Sequence, residues 1–138
     1  MEYKTYLERL PNIAVPVGRV FIAIIFVLSG FNKIGSYDYV ATWMNSMGVP
    51  GALLPVVIAL EVLGGMAIIL GFKARFAAFL LSGFCVVSAV IFHSNFADQN
   101  EMISFLKNIA IAGGFLFLVA NGAGKFALDN QKNLSRSR

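Results

Sequence analysis

The sequence predicts an all-α integral membrane protein: a four-helix up-down bundle with a short interfacial helix between helices 1 and 2. Three observations carry this. The 138 residues are 58% hydrophobic and 13% charged, against roughly 45–50% and 25% in soluble domains, so the chain has too little polar surface to solvate a globule. Four apolar stretches, Ile13 to Ile34, Leu53 to Phe72, Ala74 to Phe96 and Ile103 to Gly122, each supply the about 20 residues of helix that cross about 30 Å of hydrocarbon. The links Lys73 and Ala97 to Met102 are so short that the helices they join must run antiparallel. One domain fills residues 1–138, with 123–138 as its tail.

The first stretch has a basic start and an apolar core ending in Leu28-Ser29-Gly30, the outline of a cleaved signal peptide. Arg19 interrupts that core, however, and an uncut chain has an even number of helices. At helical spacing Arg19, Ala23, Phe26, Gly30 and Lys33 share one stripe. The link that follows, Gly35 to Ala52, is not a plain loop. Ser36 can cap a helix start, Val40, Trp43, Met44 and Met47 recur at spacings of three and four, and Gly48 with Pro50 ends the pattern. Its Tyr37, Tyr39 and Trp43 belong at headgroup depth, where amphipathic rings concentrate.

On the second membrane helix the inward stripe is Glu61, Gly65 and Ile68. On the third it is Ser82, Cys85 or Val86, Ala89 and His93, and on the fourth Lys107, Ala110 and Gly114. Small residues beside each polar group are what close helix packing in lipid requires. Lys4, Arg9, Lys73, Arg75, Lys125, Lys132, Arg136 and Arg138 fall at one end of the bundle. Lys33 and Lys107 fall toward the other, with Asp38, Asp98 and Glu101. The positive-inside rule then places both termini in the cytoplasm.

Several function classes drop out. The net charge of +4 comes from cations scattered between apolar segments, not a basic face, so nucleic acid is not an expected partner. Cys85 is the single cysteine and His93 the single histidine. The chain alone therefore carries no disulfide relay, cysteine-rich metal site or bis-histidine haem. No metal is expected, and no phosphate-binding loop for ATP is present.

Charged groups inside a membrane segment cost on the order of 2.5–3.5 kcal/mol each on insertion, which makes each a site candidate. By helix rise His93 lies about 5 Å below the outer face, Lys107 and Asn108 about 6–8 Å and Glu61 about 12 Å. The expected ligand-binding group is thus Glu61, His93, Lys107, Asn108 and Lys33. Glu61 is the only carboxylate placed in that interior, and Lys33 or Lys107 is its partner. The remaining lysine, His93 and Asn108 form a donor-rich pocket for a carbonyl oxygen or small anion. Read singly, Arg19 and Lys33 are side chains that snorkel to headgroups, and an ion pair at Glu61 only sets helix register.

Gly30-Phe31-Asn32-Lys33-Ile34, Met47-Gly48-Val49-Pro50, Glu61-Val62-Leu63-Gly64-Gly65, Leu70-Gly71-Phe72 with Arg75, Phe92-His93-Ser94-Asn95-Phe96, Lys107-Asn108 with Gly113-Gly114, and Gly122-Ala123-Gly124 before Leu128-Asp129 run in one order. In that order the chain resembles the DoxX-like four-helix membrane proteins of bacterial inner membranes, over nearly its whole length. The resemblance implies a link to quinone or sulfur redox chemistry, with a membrane quinone as the cofactor to consider. It also implies membrane lipids and either a partner redox subunit or a second copy as neighbours. Two other readings stand beside an accessory redox protein: an assembly partner without a ligand, and a small-solute or proton permease acting as an oligomer. No catalytic residue is assigned.

Overall fold

The computed structural model describes residues 2–131. Its helices are α1 (Glu2–Gly35), α2 (Tyr37–Ser46), α3 (Leu54–Leu70, entered through a 3-10 turn at Gly51–Leu53), α4 (Ala74–Phe92) and α5 (Gln99–Asn121). Among the described residues there is no strand, and α1, α3 with its entry turn, α4 and α5 are each long and apolar enough to cross a membrane. The helical membrane bundle expected from the sequence is the fold observed. Lys132, Arg136 and Arg138, counted above in the charge distribution, lie outside the described residues.

Helix α1 packs along α3 and α4 along α5, α3 also lies against α4, and α1 meets α5 through the side chains of Phe26 and Phe115. Close approach of α1 to α3 depends on two glycines. A Cβ on Gly30 would fall 2.5 Å from Val62 Cγ2, and one on Gly65 would fall 2.8 Å from Val27 Cγ2. The centre is filled by Ala23, Phe26, Ile68, Leu81, Cys85 and Phe115, with the rings of Phe26 and Phe115 5.4 Å apart. Large apolar side chains such as Phe21, Leu63, Phe79 and Phe117 point outward, as lipid-facing positions should.

Helix boundaries differ from expectation by more than two residues at three places. Helix α1 begins at Glu2, not Ile13, because residues 2–12 are rich in good helix formers. Pro11 costs only the bond to Leu7, an exposed residue beyond the apolar stretch. Helix α4 stops at Phe92, not Phe96, with His93 as its C-terminal cap. Helix α5 starts at Gln99, not Ile103, because Asp98 caps it by accepting from the Asn100 amide at 2.9 Å. Asp98 with Glu101 three residues on is a helix-start signature legible in the sequence.

The stretch after α5 is not a free tail. Ala123 and Ala127 bury against Ala74, and a 3-10 turn spans Leu128–Asn130. Asp129 accepts from the Lys73 amide at 2.6 Å and the Ala74 amide at 2.9 Å, while its own amide donates to Gly71 O at 2.9 Å. Gly71 ends α3 in a left-handed conformation, φ 70°. Its amide and that of Phe72 return to Ile68 O and Ala67 O, a Schellman ending.

Candidate functional site

The two halves of the bundle each gather polar groups. In the half that carries Lys73 and Arg75, Arg19 does not snorkel to headgroups: it is 2% exposed. It donates to Ile68 O and Ile69 O, both at 3.4 Å, and to Phe126 O. A cation on the last carbonyls of α3 opposes the negative end of that helix. Arg75 does the same for α5, donating to Val119 O and Ala120 O at 3.1 Å. These groups lock helix ends together.

The opposite half holds a cavity of about 300 Å³ between the helices. Its polar wall is Lys33 and Ser29 from α1, Glu61 from α3, Ser88 and His93 from α4 and its cap, and Asn108 from α5. Its apolar wall includes Phe26, Met44, Phe84 and Ile111. Lys33 Nζ lies 3.1 Å from Glu61 Oε1 and 3.0 Å from Oε2. Ser29, one helical turn from Lys33, accepts from its Nζ at 2.6 Å and donates to Glu61 Oε1 at 3.2 Å. The Glu61 side chain is 4% exposed and that of Lys33 23%, so the carboxylate is the interior partner and the ammonium its link outward.

Over the cavity, Trp43 of α2 stacks on Phe92 at the end of α4, with ring centroids 4.6 Å apart and planes 28° from parallel. The interfacial helix therefore serves as the cavity's cover. His93 Nδ1 lies 3.1 Å from Glu101 Oε2. Because a carboxylate only accepts, Nδ1 carries the proton in this contact and Nε2 is the ring nitrogen left for another partner. The Asn108 amide makes no side-chain hydrogen bond among the described residues.

Four of the five expected site residues, Lys33, Glu61, His93 and Asn108, thus line one cavity. Lys107 does not. It is exposed and absent from the cavity wall, and of the two lysines that could partner Glu61 it is Lys33 that pairs with it. The reason is helix phase. The inward stripe of α5 runs through Asn108, Ala112 and Phe115, not Lys107, Ala110 and Gly114, and one residue of error rotates a helix face by about 100°. A second carboxylate, Glu101, which lies outside the cavity wall, reaches His93. Ser29 was recoverable from its four-residue spacing to Lys33; Ser88 and Phe92 carried no signal beyond their place on an apolar helix.

A family model described as DoxX matches residues 14–94. The chain is 41% identical to the inner membrane protein YqjF of Escherichia coli over 92% of its own length and 98% of that protein. It is 35% identical to the inner membrane protein YphA of the same organism over 83% of its length and 87% of that protein. No solved structure matches the chain.

Proposed function

This chain belongs to the DoxX family and is a multi-pass protein of the inner membrane, and from that premise we propose that it binds the head group of a membrane quinone as an accessory to a redox partner. The observation that carries the proposal is the 300 Å³ cavity, with aromatic and aliphatic walls and polar donors at one side. A quinone ring is flat, apolar and neutral, with carbonyl oxygens that need donors. Asn108 supplies one, His93 Nε2 accepts from a hydroxyl when the ring is in its reduced, quinol form, and Trp43 and Phe26 offer ring faces. The same cavity suits a small sulfur oxyanion less well. Glu61 neutralises Lys33, Lys107 lies outside, and the apolar walls penalise an unpaired charge. Within the chain Cys85 is 1% exposed and has no second cysteine, so the electrons exchanged with a bound quinone come from or go to a partner.

Trp43 is the chain's one indole and lines the cavity, so it reports on the site. Titrating a benzoquinone without a side chain into the protein in lipid nanodiscs is expected to quench Trp43 emission to saturation. Asn108→Ala should weaken benzoquinone binding roughly tenfold, the worth of about one hydrogen bond of 1–1.5 kcal/mol, and His93→Ala should weaken binding of the corresponding hydroquinone, whose hydroxyl Nε2 accepts, by a similar factor. Quenching that rises linearly without saturation, equal in wild type and variants, rejects the site.

We also propose that both termini face the cytoplasm, so that the cavity opens toward the periplasm. Lys4, Arg9, Lys73, Arg75 and Lys125 support this orientation against Lys33 and Lys107. A phosphatase reporter fused to the C-terminus should be inactive, and a cytoplasmic fluorescent reporter bright. The reverse pattern turns the protein over.

A further inference from the structure

The cavity continues into a second space. A groove of about 670 Å³ runs between α1 and α2, and Ser29, Lys33, Val40 and Trp43 belong to the walls of both. The groove also has a direction. Toward the α2 end it is bordered by Asn32, Ser36 and Tyr39, and further along α1 by Leu28 and Ile24. From Ser36 to Ile24 is roughly 18 Å at helix rise. Polar groups therefore sit at the membrane-surface end, and aliphatic side chains extend toward the bilayer centre. Leu28 and Ile24 are exposed at 57% and 41%, so the groove is open sideways to lipid.

We infer that the ligand of this site is a long-chain amphiphile that enters sideways from the bilayer, its polar head in the cavity and its alkyl or isoprenoid chain in the α1–α2 groove. This rests on the head-group reading above and adds where the chain lies and the route by which the ligand enters. Three features of the groove support that occupant: it shares walls with the head-group cavity, it changes from polar to apolar in the sense that an amphiphile does, and it opens to lipid along its apolar part. A water-soluble ligand needs none of these. Trp43, common to both spaces and stacked on Phe92, stands at the junction between head and chain.

The test uses a benzoquinone bearing an alkyl chain with a diazirine midway along it. The probe is photolysed in nanodiscs with the full-length protein, and the labelled residues are mapped by mass spectrometry. Labelling concentrated on Ile24, Ile25 and Leu28, and reduced at least fivefold by excess chain-free benzoquinone, supports the inference. Labelling spread over lipid-facing positions such as Leu63 and Phe79 and unaffected by the competitor, while chain-free benzoquinone still quenches Trp43 saturably, overturns the groove and leaves the head-group reading standing. No saturable quenching by either compound overturns both.

Discussion

Lys33→Met is expected to destabilise the protein more than Glu61→Gln, although the two residues form one ion pair. Losing one partner of a buried pair costs roughly 3–5 kcal/mol because the other charge is left uncompensated, and the two partners differ in what they can do when abandoned. The Glu61 side chain is 4% exposed and would keep only Ser29 as a hydrogen-bond partner. The Lys33 side chain is 23% exposed, sits at the end of α1 and has a flexible stem that lets its ammonium seek the headgroups. Lys33→Met should therefore cost about 3–5 kcal/mol, and Glu61→Gln less than half as much. The double substitution should cost less than Lys33→Met alone, because it removes the stranded charge. Unfolding in mixed micelles by titrated denaturing detergent measures all three variants. Additive effects would show that the two groups are not coupled, and equal single effects would show that their difference in exposure is without consequence.

Most of what builds this site was legible because α1, α3 and α4 alternate bulky apolar residues with small or polar ones at three- and four-residue spacing. Arg19, Ala23, Phe26, Gly30 and Lys33 on α1 share the inward face expected of them, as do Glu61, Gly65 and Ile68 on α3. On α4 Ser82, Cys85 and Ala89 are buried and Val86 is 41% exposed, which resolves the choice between Cys85 and Val86. Helix α5 was not legible in the same way. Its small residues Ala110, Ala112, Gly113 and Gly114 lie on more than one face, so they do not set its phase, and two adjacent polar residues compete for the inward position. Lys107 carries the charge that draws attention, yet a long cation reaches water from an outward position at little cost, whereas the amide of Asn108 needs a polar interior.

The missed contacts have a second common cause: they join segments that periodicity treats separately. Glu101 meets His93 across the short α4–α5 link, and Trp43 meets Phe92 across the bundle mouth. Neither pairing has a helical spacing to announce it. The returning segment after α5 is the largest such case. Gly122 and Gly124, both at positive φ, end the helix and turn the chain, and Asp129 then supplies the cap that α4 lacks because its N-terminal neighbour is Lys73. A residue pattern of Gly-Ala-Gly followed by Leu-Asp announces a turn, but not the helix end on which the turn docks.

Arg19→Met is expected to cost about 3 kcal/mol or more and to release that returning segment. The guanidinium is 2% exposed and joins three carbonyls: Ile68 and Ile69 in the last turn of α3, and Phe126 in the segment after α5. Hydrogen bonds to a charged group contribute roughly 1.5–3 kcal/mol each, and buried carbonyls left without a donor carry a desolvation cost of about 1–3 kcal/mol. The site is shaped around the arginine, since a Cβ on Gly71 would fall 2.2 Å from Arg19 Nη1 and 2.4 Å from Ala127 Cβ. Methionine preserves the apolar stem but none of the bonds. Arg19→Lys keeps one charge without the planar fork that reaches carbonyls on two segments at once, so it should recover only part of the loss. Two readouts separate this clasp from a general packing defect: the unfolding midpoint, and the rate of tryptic cleavage after Lys125, which lies in the returning segment. With the clasp intact, Asp129 and the buried Ala123 and Ala127 hold that segment against Ala74 and cleavage is slow. Arg19→Met should raise the cleavage rate at least tenfold while quinone quenching of Trp43 at the far end of the bundle stays within twofold. An unchanged midpoint with unchanged cleavage would mean that Asp129 and the alanines hold the segment without the arginine.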